Sequence, residues 1–247
     1  MMERTVVIDC FPDSVARYAA THTIVAVDVI RATTTAVSAV TSGRRCFPVP
    51  SLETAVPLAA RLDNPLLVGE LGGNAPYGFH LTNSPAQIAP RPDVERPMLL
   101  LSTSGTPLMW EARLAPVAYA ACLRNVTAQA DHLAGSDGPI AVIGAGSRNE
   151  FRDEDALCCS WIAGALLERG FGAADERTAE LVATWRSAPV EACGQGHSAE
   201  YLRKTGQVSD LEFILEHVDD LDAVFPLTGG EVGMLAPVER RVAHAPA

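Results

Sequence analysis

Residues 140–170 read IAVIGAGSRNEFRDEDALCCSWIAGALLERG. The opening Ile140-Ala141-Val142-Ile143 is apolar without alternation, and Gly144-Ala145-Gly146 follows it. A short continuous apolar run bounded by glycine fits a strand buried on both faces, and such a strand needs a packed layer on each side. From 154 to 168, Cys158, Trp161, Ile162, Ala165 and Leu166 keep the i, i+3, i+4, i+7, i+8 spacing of an amphipathic helix, and Gly170 supplies a stop. Strand, glycine turn and helix in that order make one unit of a layered α/β fold.

The same unit recurs along the chain. Met98-Leu99-Leu100-Leu101 is a second continuous apolar run. Strands are predicted at 5–9, 24–29, 45–49, 66–70, 98–103, 117–121, 140–144 and 223–227. Helices are predicted at 13–20, 33–40, 52–62, 107–112, 126–134, 154–169, 179–185, 199–204 and 211–217. This alternation predicts a three-layer α/β/α fold around a largely buried sheet, mixed or parallel; two intertwined α/β halves fit the pattern equally well. No useful internal repeat or low-complexity linker interrupts it, so 1–247 reads as a single domain. The proline-rich stretch 85–97 reads as an ordered connection. The region after about 171 reads as a helical extension packed on the main sheet.

Of the 247 residues, 48% are hydrophobic and 20% charged, which permits a sizeable core and excludes wholesale disorder. Thirty acidic residues stand against 19 Lys and Arg, a formal charge of −11. A field of that sign opposes phosphate backbones, so neither nucleic acid nor an anionic membrane is expected as a partner. A small anionic ligand would need local basic groups, backbone amides or a bound cation. After Met1-Met2-Glu3-Arg4 the chain reads as a strand, without the apolar segment of a secretory signal or the roughly 20-residue run of a membrane span. Cys10, Cys46, Cys122, Cys158, Cys159 and Cys193 show neither C-x-x-C nor zinc-ligand spacing. Reduced thiols in a cytoplasm are the expectation.

Ligands of open α/β sheets collect beyond the carboxyl ends of the strands. The first candidate end is Asp28-Val29-Ile30-Arg31-Ala32-Thr33-Thr34-Thr35. A carboxylate in so apolar a run is costly unless paired or bound to a cation. Hydroxyls and free N–H groups at a helix start suit an anion. The purely structural alternative pairs Asp28 with Arg31 and makes Thr33 an N-cap. The second end is Gly69-Glu70-Leu71-Gly72-Gly73, where glycines permit close backbone approach and an exposed Glu on a tight turn is the alternative. The third, Ser102-Thr103-Ser104-Gly105-Thr106, offers hydroxyls and permissive backbone for a phosphate nest, or else is a polar turn. It is not a P-loop, because no Lys follows Gly at the required spacing.

Leu123-Arg124-Asn125 and Gly144 to Asn149 complete the set. Gly144-Ala145-Gly146 lacks the third glycine of a dinucleotide fingerprint, since Asn149 takes its place. Beyond it, Asp153-Glu154-Asp155 suit a helix N-terminus, and one of them could also reach a metal. Asp28 with Thr33 resembles the D-x-D-x-T start of haloacid-dehalogenase-type phosphatases, but Ile30 occupies the second Asp position and excludes that match. Cys158 reads as core, with Cys159 off its stripe; His80, His132 and His197 read as isolated, and 216–222 as a solvated acidic face.

Taken in order, these segments resemble the 2-phosphosulfolactate phosphatase family, the ComB-like proteins of coenzyme M biosynthesis and their bacterial relatives. Asp28 to Thr35 resembles the family's D-V-[LI]-R-A-T-T-T, Gly69 to Gly73 its G-E-x-G-G, Gly78 to Pro85 its G-F-D-L-G-N-S-P, and Ser102 to Thr106 its T-T-N-G-T. Asn125, Ala145-Gly146 and Glu154-Asp155 fall where the family has Asn, A-G and E-D. The ordered matches span about 24–160, with weaker similarity over 198–210.

The resemblance implies a Mg²⁺-dependent phosphatase acting on phosphate esters of 2-hydroxy carboxylic acids such as 2-phosphosulfolactate, with a small anionic phosphoacid as partner; a homodimer is compatible with it. It implies metal ligation by Asp28 and Glu70, with Asp155 third, and a phosphate clamp at Arg31. Thr33, Thr34, Thr103, Ser104, Gly105, Thr106 and Asn125 would complete the substrate cradle. Asn83, Ser84 and Arg148 would hold the substrate's carboxylate or sulfonate. His80 stands where the family usually has Asp, Thr82 where it has Gly, and Ser104 where it has Asn. The alternative is therefore a relative with altered specificity, or a non-catalytic phosphoacid-binding one.

Overall fold

The computed structural model describes residues 3–236. Ten strands lie in the order β4-β5-β3-β10-β9-β6-β2-β7-β1-β8. They are β1 (Thr5–Cys10), β2 (Thr23–Val27), β3 (Cys46–Val49), β4 (Leu66–Gly69), β5 (Met98–Leu101), β6 (Ala118–Ala121), β7 (Ile140–Gly144), β8 (Gly172–Ala173), β9 (Phe225–Thr228) and β10 (Glu231–Val232). Helices lie on both sides, as the continuous apolar runs require. They include α1 (Val15–Tyr18), α2 (Ala32–Thr41), α3 (Leu52–Ala59), α4 (Pro85–Ile88), α5 (Gly105–Ala112), α6 (Val126–Leu133), α7 (Asp153–Glu168), α8 (Glu176–Trp185), α9 (His197–Lys204) and α10 (Val208–Glu216).

The two-residue period of a strand sends alternate side chains into two cores. Val7, Ile24, Ala26, Ala141 and Ile143 pack with Ala36, Val37 and Val40 of α2 and with Leu108, Met109 and Ala112 of α5. Val6, Ile8, Val25, Val27, Ile140 and Val142 pack on the opposite face with Leu157, Cys158, Ile162 and Leu166 of α7. Each such aliphatic side chain contributes about 1.5–3 kcal/mol when fully buried, so both faces must be covered. Helix α7 is buried nearly all round, and Cys159, outside the predicted stripe, is as inaccessible as Cys158. Helices α6 and α8 enclose it from the sides.

Two parallel sets, β6-β2-β7-β1-β8 and β3-β5-β4, are joined by the β9–β10 hairpin. Three successive antiparallel junctions, β6–β9, β9–β10 and β10–β3, reverse the strand direction between the sets. A flat sheet would place their carboxyl ends on opposite edges. The residues after β2 and β7 in one set and after β4 and β5 in the other nevertheless line one cavity.

The predicted helix at 13–20 is a 3₁₀ turn, Pro12–Ser14, followed by the one-turn α1. The stretch 85–97 contains α4, which begins where Ser84 accepts the Gln87 N–H at 3.2 Å. Strands β8 and β10 were not anticipated, because two residues are too few for any periodicity to register. The region after 171 is helical through α8, α9 and α10 and then returns to the sheet in β9. Among the described residues no helix is long and apolar enough to cross a membrane.

Candidate active site

A cavity of about 430 Å³ opens beyond the carboxyl ends of β2, β4, β5 and β7. Of the residues expected from sequence, Asp28, Arg31, Glu70, Asn83, Thr103, Ser104, Arg148 and Asp155 line it.

The turn from β2 into α2 is wired by its threonines. Thr33 Oγ1 donates to the Asp28 carbonyl at 2.7 Å and accepts the Asp28 N–H at 2.9 Å. Thr34 Oγ1 donates to the Val29 carbonyl at 2.8 Å. The Thr35 hydroxyl is shared between the carbonyls of Arg31 and Asn83, at 3.0 and 2.8 Å. Thr33 and Thr34 are buried and do not line the cavity. They shape the turn instead of cradling phosphate, because their hydroxyls satisfy backbone carbonyls that burial would otherwise leave unpaired.

Asp28 is 7% exposed. Burial pushes its carboxyl up to about 7; the carboxylates of Glu70 and Glu154 add to the rise, while the Ala32 N–H and Arg31 oppose it. Gly105, expected as part of the phosphate nest, packs on this carboxylate. A Cβ there would stand 1.9 Å from Asp28 Oδ2.

Arg31 does not pair with Asp28. Its Nη1 donates to Asp210 Oδ2 at 2.5 Å and to Gln207 Oε1 at 2.6 Å, and its Nη2 donates to Asn83 Oδ1 at 2.9 Å. The guanidinium is therefore fixed by the start of α10 while still forming part of the cavity wall. Asn83 accepts this bond through Oδ1 and itself lines the cavity. Ser84 is withdrawn from the cavity, its hydroxyl donating to Asp210 Oδ1 at 2.5 Å.

Both oxygens of Asp155 accept backbone N–H groups, Val29 at 2.9 Å and Gly146 at 3.1 Å, and so tie the β2 and β7 turns together. Burial raises its pKa well above the usual carboxylate range, with Asp28 and Glu154 adding in the same direction. Glu154 is 1% exposed, its Oε2 has no hydrogen-bond partner among the described residues, and burial raises its pKa too. Glu70 organises the two loops beside it. It accepts the Thr103 N–H at 2.7 Å, the Thr103 hydroxyl at 2.9 Å and the Gly73 N–H at 2.6 Å. The three carboxylates expected to share a metal thus share a cavity. Among the described residues, however, no group of three or more His, Cys, Asp or Glu is gathered as a metal cluster.

Two further expectations do not reach the cavity. Thr106 is buried and bonds to Ser102, accepting its N–H at 2.8 Å. Asn125 is also buried, its Oδ1 accepting the Cys122 N–H at 3.0 Å and its Nδ2 donating to the Ala223 carbonyl at 3.4 Å. It shapes the turn after β6. All six cysteines are buried free thiols. Burial raises the Cys159 thiol well above its ordinary range, which makes it a poor nucleophile.

Sequence reasoning missed Arg152, His197 and Tyr201, which line the cavity, and Asp210, which holds Arg31. The weak similarity over 198–210 was the available signal for Tyr201 and Asp210; it did not extend to Arg152 or His197. Tyr201 donates to the Gly73 carbonyl at 2.9 Å and so links α9 to the glycine turn after β4.

The sequence profile of the 2-phosphosulpholactate phosphatase family matches residues 10–229. The chain belongs to the 2-phosphosulfolactate phosphatase family. Individual relatives agree. A probable 2-phosphosulfolactate phosphatase of Symbiobacterium thermophilum is 34% identical over 204 residues, covering 80% of this chain and 79% of the relative. One from Caldanaerobacter subterraneus is 27% identical over 219 residues, covering 85% and 89%. Another, from a Synechococcus strain, is 33% identical over 178 residues, covering 68% and 73%. Of this chain's three departures from the 2-phosphosulfolactate phosphatase motifs, Ser104 alone lines the cavity. His80 lies outside it, its Nδ1 accepting the Leu67 N–H at 2.9 Å at the edge of β4.

Proposed function

We propose that this protein is a phosphoric monoester hydrolase that releases phosphate from the ester of a 2-hydroxy carboxylic acid, with Mg²⁺ held at Asp28. 2-Phosphosulfolactate, the compound in its relatives' names, would yield sulfolactate and phosphate. One observation carries this reading. A buried carboxylate, Asp28, whose proton affinity is raised by burial and neighbouring carboxylates, shares a cavity with the fixed guanidinium of Arg31.

A protein with formal charge −11 repels a phosphate dianion unless a cation offsets it. Mg²⁺ usually takes only one or two protein carboxylates and completes its shell with water and substrate phosphate. At Asp28 a dication would offset the neighbouring charges of Glu70 and Glu154, which add to the burial that raises its pKa. Glu70 and Asp155, with both oxygens holding loops, would reach the ion through its waters. Bound there, Mg²⁺ supplies charge neutralisation and orientation, which phosphoryl transfer needs more than covalent chemistry. Arg31 would bind phosphate oxygens, and the start of α5 at Ser104 and Gly105 would favour the anion through its helix dipole. The buried free thiols fit a reducing cytoplasm.

The test is phosphate release from 2-phosphosulfolactate with Mg²⁺ and with a chelator. Release is expected with the metal, with a loss of about 10²- to 10³-fold in Asp28→Asn, the scale on which removing one key electrostatic group acts. Release unaffected by chelation, or undiminished in Asp28→Asn, would remove Mg²⁺ and Asp28 from the reaction. Binding without release would leave a phosphoacid-binding protein.

A further inference from the structure

We infer that a second cavity, of about 450 Å³, between α3, the end of α5 and the β9–β10 turn binds a small planar aromatic acid, its ring against Trp110 and Phe47 and its acid group on Arg61 and Arg113. None of its lining residues belongs to the cavity that holds Asp28, so binding here is independent of the phosphatase reading.

Two features select that class. The first is unbalanced positive charge. Most arginines of this acidic chain pair with a carboxylate. Arg61 and Arg113, by contrast, make no side-chain hydrogen bond or ion pair among the described residues, and no acidic residue lines the cavity they share. Glu231, next to Gly230 on the turn, is held by Arg45 through two 2.8 Å bonds and so does not neutralise them. Two guanidiniums lining one cavity repel each other, and an anion between them removes that cost. The second feature is an aromatic and apolar surface. The Arg113 guanidinium sits over the Trp110 ring, 3.8 Å from its centroid. Such a cation–π contact orients the fork without using any of its N–H donors. Phe47, Pro57 and Leu58 add apolar wall. Small-ligand sites of this size combine apolar and aromatic walls with a few polar groups that fix orientation. An aliphatic acid would use the charge alone and a neutral ring the surface alone, whereas an aromatic acid uses both.

The test is calorimetry on the full-length protein with 2-naphthoate as the probe. Binding with a Kd of about 1 mM or below is expected. 2-Naphthamide keeps the rings and loses the charge; cyclohexanecarboxylate keeps the charge and loses the π face. Each should bind at least about 5-fold more weakly. Trp110→Leu should weaken 2-naphthoate by about 10-fold, the scale of one aromatic stacking contact. Arg61→Gln should weaken it by about 3- to 5-fold, the scale of an exposed ion pair. Asp28→Asn should leave the affinity unchanged. No binding, equal affinity for 2-naphthamide, or an affinity untouched by Arg61→Gln would overturn the site. Loss of binding in Asp28→Asn would overturn it too, by putting the probe in the first cavity. So would a dimer in sedimentation that the probe does not enter, since a second copy would then cover this face. Arg61 is exposed, so its substitution decides even where Trp110→Leu fails to fold by circular dichroism.

Discussion

Asp28 is a carboxylate that almost no water reaches, and burial first, then the charges of Glu70 and Glu154, raises its proton affinity. The absence of a side chain at residue 105 is what leaves room for it. Gly105→Ala would put a methyl group 1.9 Å from Asp28 Oδ2 and 2.6 Å from the Ala32 Cβ. We expect a loss of about 1–3 kcal/mol in a denaturant melt, the usual cost of overpacking, together with loss of phosphate release. Wild-type values of both would show that the α5 start does not press on Asp28. Asp210 is a positioning residue for Arg31, the two side chains being 2% and 4% exposed. Asp210→Asn strands a buried guanidinium and should cost about 3–5 kcal/mol. If Asp210 does position Arg31, Asp210→Glu should recover stability more than kcat/KM. Equal recovery of the two would argue that the pair serves stability alone.

At the scale of elements, the run Thr33-Thr34-Thr35 shows where a motif can mislead. Three hydroxyls at a helix start suit a phosphate, yet here each bonds to a carbonyl of the turn or of Asn83. Spacing identifies the helix start, but the direction in which a hydroxyl points depends on what buries it. Thr34→Val keeps the shape and removes the bond to Val29. The expected destabilisation is about 1–3 kcal/mol, for one buried carbonyl left unpaired, with kcat falling as the Asp28 turn loosens. A kcat unchanged alongside a lowered melting temperature would uncouple the turn from catalysis. The opposite lesson comes from α7, whose period was plain in the sequence. Its burial on nearly every side follows from α6 and α8, which the period could not disclose.

For the molecule as a whole, Asp28, Glu154 and Asp155 all have pKa values raised by burial. The folded state therefore holds more protons than the unfolded one at mildly acidic pH. Stability of the metal-free protein should be greatest near pH 4 in this respect and decline as pH rises toward about 7, where Asp28 gives up its proton. Asp28→Asn should flatten that decline, since one pKa unit of relief corresponds to about 3–5 °C in Tm for a chain of this size. Melting curves in chelator across that range test this, and a Tm that climbs from pH 4 to 7 would contradict it. The residues alone determined the layered α/β class, the two-sided burial of strands such as Ile140–Gly144, and the strand ends at which a site would open, because periodicity and glycine punctuation act over a few neighbouring positions. Only the tertiary structure decided that Arg31 answers to Asp210, 179 residues away, and that His197 meets Arg152 across 45 residues. Partnerships of that range depend on how the extension carrying α9 and α10 packs back against the β2 turn and the start of α7, and local spacing carries no record of that packing.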